Sequence, residues 1–196
     1  MSEAGAILKP GAVAERLGAA LAAEKSGQTF GAAGVALKKI LAETRRALLE
    51  HYARGDVIVA KLSLAMDAAL AAIAEPQLVA LPAKAKIAVI ATGGYGRGQL
   101  APLSDIDLLI LHSGAGDDAL KTFVNAVLYP LWDAGLTVGQ GVHTPSSAIN
   151  LASADMTAMT AFLDARLIAG DAKLFKEFQS KFDMLRWRTK SKFVKA

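Results

Sequence analysis

The chain has 196 residues, of which 53% are hydrophobic and 6% aromatic, and its formal net charge is +4. This length suits one domain of ordinary size with a helical extension, and it excludes two large domains. The chain contains no cysteine, which excludes disulfides and thiolate metal sites and suits a reducing compartment, so we expect a cytoplasmic protein. The apolar runs "IAVIA" and "LLIL" are far shorter than the roughly 20 residues of a bilayer-spanning helix, and we expect no membrane span.

The N-terminal part of the chain predicts an arm followed by two helices. Residues 1–34 are rich in alanine and glycine with little periodicity, which predicts a loosely ordered arm or short helices. Apolar residues then recur at steps of three and four over residues 35–54, and this spacing predicts an amphipathic helix. A second helix is predicted over residues 57–74, with its end near Pro76.

The rest of the chain predicts a small mixed β-sheet with packed helices, an α/β (α+β) fold. β-Branched and apolar residues indicate strands over residues 86–92, 106–113 and 135–144. A glycine-rich loop, residues 93–104, joins the first two strands. Further helices are predicted over residues 117–133, over residues 145–169, and from about Asp171 onward.

The C-terminal end is basic, with six lysines and arginines against Asp183 within residues 181–196. Trp187 and Phe193 lie among these charges, a pattern that some nucleic-acid-binding segments share. Without a fold that recognises nucleic acid, these charges are only weak evidence of nucleic-acid binding. We therefore expect a solvated helix end or an interrupted element, and no nucleic-acid partner.

The stretch "GGYGRGQLAPLSDIDLLIL", residues 93–111, contains the candidate acids. Alternate side chains of a strand share one face, so Asp105 and Asp107 are expected to project to the same side. Like charges repel each other at an apolar strand end, and a divalent cation relieves that repulsion. Mg²⁺ prefers a few carboxylate oxygens together with water and substrate phosphate, so the pair predicts a Mg²⁺ site.

The glycine loop supplies the complementary half of such a site. Gly93 and Gly94 have no Cβ, so their backbone N–H groups can lie close to a phosphate, and Arg97 adds a guanidinium group. Acids for a metal beside amides for phosphate are typical of phosphoryl or nucleotidyl transfer. The loop lacks the Gly-Lys-Ser/Thr of a Walker A motif and leads into a strand, which excludes the dinucleotide-binding fingerprint. A structural turn with surface acids is the alternative.

This stretch closely resembles the active-site loop of the polymerase-β-like nucleotidyltransferases, and most of all that of the PII uridylyltransferase/uridylyl-removing family. The segments "YPLWDAGLTVG" and "TAFLDARLIAGD" extend the resemblance over roughly residues 35–185. The resemblance implies the polymerase-β-like fold with an N-terminal helical extension. It divides the chain into an arm (residues 1–34), a nucleotidyltransferase domain (residues 35–185) and a truncated basic tail (residues 186–196).

The implied reaction is transfer of UMP from UTP to a tyrosine hydroxyl of the PII signal protein, with release of pyrophosphate and Mg²⁺ as cofactor. By the same resemblance, Gly93 and Gly94 hold the triphosphate, Ser104 lies beside the phosphates, and Asp105 and Asp107 bind the metal and act in catalysis. Arg97 would contact phosphate or brace the loop.

Departures from the family pattern leave two alternatives open. The superfamily usually supplies a third carboxylate from a later strand, and residues 135–144 contain none. Asp155 and Asp164 are expected to be surface or capping acids, and Tyr95 either packs or stacks on a nucleobase. The alternatives are transfer of adenylyl or another nucleotidyl group to a different acceptor, and an inactive nucleotide-binding or interaction module.

Overall fold

The computed structural model describes residues 9–25, 31–52, 54–114 and 117–193. Helices α1 (Pro10–Lys25), α2 (Ala32–His51) and α3 (Gly55–Val79) precede the first strand. The elements that follow are β1 (Ile87–Ala91), the single turn α4 (Gly93–Gly96), β2 (Ile106–His112), α5 (Asp117–Asp133), β3 (Val138–His143), α6 (Pro145–Ala154), α7 (Met156–Phe162), β4 (Arg166–Gly170) and α8 (Ala172–Phe193).

The strands form one mixed sheet in the order β3-β2-β1-β4. Strand β1 pairs antiparallel with both β2 and β4, whereas β2 and β3 are parallel. All residues of β1 are buried, as expected for a central strand made of a continuous apolar run. The predicted small mixed sheet with packed helices is confirmed.

The sheet separates two hydrophobic clusters because side chains alternate along β2. Ile106, Leu108 and Ile110 face a cluster built with α1, α2, α3 and α5. Leu109 and Leu111 face the opposite cluster, which α6, α7 and α8 cover and in which α7 and α8 contribute stacked and edge-to-face phenylalanine rings. Even-numbered residues of β2 therefore face the first cluster, and odd-numbered residues face the second.

Helix α1 agrees with one of the two alternatives predicted for residues 1–34, short helices, and not with a loosely ordered arm. Over Pro10–Lys25 the chain is helical, and Val13 and Leu17 are fully buried against α2 and α3. Its alanines allow close packing, which stabilises a helix whose sequence has little amphipathic periodicity. Residues 1–8 and 26–30 of the predicted arm lie outside the described residues. The domain boundaries stay predictions, and α8 runs through residue 186 as far as Phe193.

Strand β4 is a correction, because one long helix was predicted over residues 145–169. Helix α6 ends at Ala154, and the Asp155 carboxylate accepts a hydrogen bond from the Thr157 N–H to begin α7. An aspartate that bonds the backbone in this way competes with helix continuation. The chain then forms β4, whose hydrogen-bonding partner β1 lies far away in sequence. Pairing with a distant strand overrode the local helical pattern.

Helix α3 is long and apolar enough to pass a composition test for a membrane span, with a mean hydropathy of 2.0 over 18 residues. Leu62, Met66 and Leu70 are nevertheless buried in the protein, and 44% of that window is buried. Core helices pass the same test, so the result is weak evidence for a membrane segment. The helix also continues past Pro76 and ends at Val79, three residues beyond the proline near which its end was predicted.

Candidate active site

The two predicted acids lie at the start of β2. Asp105 is exposed and directly precedes the strand, whereas Asp107 is its second residue and is half-buried. By strand alternation Asp107 shares a face with Leu109, so its carboxylate lies at the open end of the face that α6, α7 and α8 cover. The Thr92 N–H donates to the Asp107 carbonyl at 3.0 Å, which ties the start of the glycine loop to this position.

Two glycines flank the Asp107 carboxylate. Gly93 has a φ of +57°, a left-handed conformation that favours glycine, and a Cβ on it would lie 2.9 Å from Asp107 Oδ2. Gly139 is the register partner of Asp107 on β3, and a Cβ there would lie 2.6 Å from Oδ1. A side chain at either position would therefore force the Asp107 carboxylate to move. The glycines therefore leave the carboxylate, and the space beside it, free of neighbouring side chains.

The electrostatics of the pair fit a divalent cation. Burial raises the pKa of Asp107, and the neighbouring Asp105 charge raises that pKa further. Within the described ranges, no lysine or arginine forms an ion pair with either aspartate. No cluster of three His, Asp or Glu side chains suited to a metal occurs there either. A Mg²⁺ ion bound by Asp105 and Asp107 would thus need water and substrate oxygens to complete its coordination.

Behind the glycine turn lies a network that the sequence did not reveal, here named the loop clamp: Asp67 on α3, Tyr95 on α4 and Arg166 on β4. Tyr95 is 1% exposed, and its hydroxyl donates to Asp67 Oδ1 at 2.7 Å. Burial, followed by the Asp67 charge, raises the pKa of Tyr95 well above its usual range. The alternative that Tyr95 stacks on a nucleobase is therefore wrong in this structure, because the ring packs inward.

Arg166 connects the loop clamp to the backbone of the turn. Its Nη1 lies 2.6 Å from Asp67 Oδ2, and Nη2 lies 3.1 Å from Oδ1, a bidentate ion pair. The remaining donors reach the carbonyls of Tyr95 at 3.2 Å and Gly96 at 3.1 Å. The guanidinium also lies 5.6 Å from the Tyr95 ring centre. Each guanidinium nitrogen has a defined partner, so the side chain holds the turn against α3 and β4.

The far end of the glycine loop is held by separate contacts. The Leu100 N–H donates to Ser63 Oγ at 2.9 Å inside the protein. Arg97, which was predicted to contact phosphate or to brace the loop, has its Nη1 2.9 Å from Asp164 Oδ2 at the surface. In this structure Arg97 therefore braces the loop. Ser104 is exposed, and its hydroxyl donates to the Ala101 carbonyl at 3.1 Å. The phosphate-contacting roles of Arg97 and Ser104 stay predictions.

Comparison with known proteins bears on the same segment. A family model described as the nucleotidyltransferase domain matches residues 77–136, which include β1, the glycine turn and both aspartates. The chain is 38% identical over 136 residues, 69% of its length, to the bifunctional uridylyltransferase/uridylyl-removing enzyme of Ralstonia nicotianae. The enzymes of the same name from Aromatoleum aromaticum and Streptomyces coelicolor are 42% identical over 52% of the chain and 44% identical over 45%.

The chain carries a nucleotidyltransferase domain. Its four-stranded mixed sheet with helices on both faces is consistent with the polymerase-β-like fold. The chain spans 15% of the Ralstonia enzyme, 12% of the Aromatoleum enzyme and 10% of the Streptomyces enzyme. The nucleotidyltransferase domain is thus similar to a small part of each relative.

A first prediction tests the space around Asp107. The substitution Gly139→Ala places a methyl group against Oδ1, so we expect nucleotidyl transfer to fall by about 10²-fold while the fold is retained. Gly141→Ala is the matched control on the same strand, because its methyl group meets the movable His143 ring. Transfer assays and thermal melts of both variants check this. Equal activity of the two variants would contradict the assigned role of Gly139.

Proposed function

We propose that the chain transfers UMP from UTP to a tyrosine hydroxyl of the PII signal protein and releases pyrophosphate, with Mg²⁺ as cofactor. The observation that carries this proposal is the Asp105–Asp107 pair beside the Gly93–Gly94 turn. Its support comes from the family model over this segment and from the uridylyltransferase names of the relatives. A cytoplasmic location belongs to the same proposal and suits a chain without cysteine.

The residues of the chain act by positioning and by charge. Asp105 and Asp107 would hold Mg²⁺, which supplies charge neutralisation for the phosphates and lowers the pKa of the attacking hydroxyl. Gly93 and Gly94 open the α4 turn, where a helical start leaves backbone N–H groups available for the triphosphate. The loop clamp holds these amides in place before substrate binds.

The reaction exchanges one phosphorus–oxygen bond for another. The tyrosine oxygen bonds to the α-phosphorus of UTP as the bond to the bridging oxygen breaks, so pyrophosphate leaves and the hydroxyl loses its proton. Such a reaction depends mainly on alignment of the two oxygens and on stabilisation of negative charge. The preorganised turn and the carboxylate pair meet these two requirements.

The second prediction concerns the completeness of the site. Within the described residues Asp105 and Asp107 have no third carboxylate near them that would make a metal-binding cluster, and β3 has none in its sequence. We therefore expect the chain to bind UTP with Mg²⁺ but to transfer UMP to PII slowly. A longer chain carrying more of the relatives' length is expected to restore the rate.

Calorimetry with UTP, ATP, CTP and GTP, each with Mg²⁺ and with chelator, measures the binding part of this prediction. Transfer is measured with labelled UTP and purified PII, and the chelator arm is its control. Preference for ATP would favour adenylyl transfer to another acceptor. A chain that binds no nucleotide would favour the interaction module, and rapid multiple turnover by the chain alone would contradict the need for a further carboxylate.

A further inference from the structure

A cavity of about 320 Å³ lies between α2, the loop that precedes β2, and the turn from α5 to β3. Two hydroxyl-bearing residues of its lining, Ser104 and Thr137, lie at the edge where Asp105 precedes β2. Much of the remaining wall is apolar, with leucines from all three segments. The volume is at the lower end of the range of small-molecule sites. The cavity adjoins the carboxylate edge without including either aspartate.

Helix α2 contributes two cationic side chains, Lys38 and Arg45, to the lining of this cavity. Lys38, Leu41, Ala42 and Arg45 all line it, and their spacing of three and four residues places them on one helix face. No aspartate or glutamate lines the cavity. The acids of this helix are engaged elsewhere, since Glu43 pairs with Arg16 and Glu50 with Arg46. Neither Lys38 nor Arg45 has an ion pair with a described residue.

The Arg45 side chain has a buried nitrogen without a hydrogen-bonding partner among the described residues. Its Nε is buried and makes no hydrogen bond to the residues that the structure describes. Burial also lowers the pKa of Arg45, the direction expected for a guanidinium withdrawn from water. A buried donor on a charged group costs folding free energy unless an acceptor satisfies it. An anion in the cavity would balance the charge of this guanidinium.

We propose that this cavity binds a phosphate group through Arg45 and Lys38, with the hydroxyl of Thr137 as a further contact. Phosphate fits this wall because its charge balances two cations, and its several oxygens accept from a guanidinium, an ammonium and a hydroxyl group. The phosphate belongs either to the tail of the nucleotide or to a separate phosphate-bearing ligand. The site itself does not depend on which transfer reaction the domain performs.

Calorimetry with pyrophosphate tests the site in the presence of chelator and without nucleotide, so the carboxylate pair adds no metal-mediated attraction. We expect Arg45→Ala to weaken pyrophosphate binding by about tenfold or more, the usual scale for a lost charge-assisted hydrogen bond. Arg46→Ala is the matched control, since it removes the same charge from the exposed side of the same helix. Its affinity is expected to stay within about twofold of the parent.

A second pair of variants keeps the test valid if Arg45→Ala does not fold. Lys38→Ala is expected to weaken pyrophosphate binding, whereas Lys39→Ala, exposed and outside the cavity lining, is not. Absence of pyrophosphate binding, or equal losses in the cavity variants and their controls, would overturn the proposal. Larger losses of pyrophosphate affinity in the cavity variants than in their controls support the proposal. A competition experiment with UTP then identifies where the phosphate comes from. Competition between pyrophosphate and UTP indicates the nucleotide tail, and simultaneous binding indicates a separate ligand.

Discussion

Asparagine in place of Asp107 is expected to reduce UMP transfer by about 10³-fold or more and to raise the melting temperature of the metal-free protein. The amide keeps the shape of the carboxylate but loses the charge that binds Mg²⁺. Because the carboxylate is half-buried beside Asp105, its ionised form is costly in the folded protein. Activity and stability should therefore change in opposite directions, which is the signature of a functional site and not of a structural one.

The pH dependence of this stability gain has a defined sign. The folded-state pKa of Asp107 is raised, so its ionisation destabilises the folded protein above that pKa. As the pH falls through that pKa the carboxyl group becomes protonated and the cost disappears. Thermal melts in chelator should therefore show the largest gain for Asp107→Asn at neutral pH and a shrinking gain in acid. Burial is only partial, so the gain is expected to be modest.

Two further variants control the Asp107 experiment. Asp105→Asn is expected to lose transfer as well, since it removes the second carboxylate of the pair. Asp118→Asn removes an exposed acid from the first turn of α5 and should leave activity unchanged, with only the small loss of stability that follows from a weaker interaction with the helix dipole. Full activity in both site variants, or unfolding of both, would show that the carboxylates do not form a metal site.

The second large effect is expected at the loop clamp, where Arg166→Met should lower the free energy of unfolding by about 2 kcal/mol. Removal of Arg166 leaves the Asp67 carboxylate, 21% exposed, without its bidentate partner. It also removes two donors from the carbonyls of Tyr95 and Gly96. Fully buried pairs cost about 3–5 kcal/mol when one partner is removed, and the 36% exposure of the Arg166 side chain reduces that figure.

Loss of the loop clamp should also impair the site, because the amides of Gly93 and Gly94 are no longer fixed. We expect weaker UTP binding in calorimetry, while the carboxylates of Asp105 and Asp107 are left in place. Arg166→Lys keeps a positive charge but not the fork, so partial rescue of stability with poor rescue of UTP affinity is expected.

Urea unfolding of Arg166→Met, Asp67→Asn and the double variant measures the coupling within the clamp. Arg186→Ala is the control, because its exposed pair with Asp183 is screened by solvent and should contribute little. Additive effects of the two single variants, or unchanged UTP affinity in Arg166→Met, would contradict the positioning role.

Local sequence patterns were sufficient to predict much of the fold, together with the aspartate pair and the glycines of the candidate site. The apolar spacing of α2 and α5, the β-branched run of β1 and the apolar run of β2 indicate these elements, because amphipathic periodicity and strand propensity act over a few residues. The shared side of Asp105 and Asp107 follows from strand alternation alone. The glycines beside them were recognisable from their order along the chain.

The rest depended on contacts between distant segments. Strand β4 exists because β1 offers it hydrogen-bonding partners, and α1 is stabilised by burial against α2 and α3. The placement of Gly139 opposite Asp107 required the parallel register of β2 and β3. Asp67 and Arg166 are 99 residues apart, and only the folded chain brings them together behind Tyr95. A sequence pattern encodes the preference of a segment for helix or strand, whereas register and long-range ion pairs depend on which distant surface that segment meets.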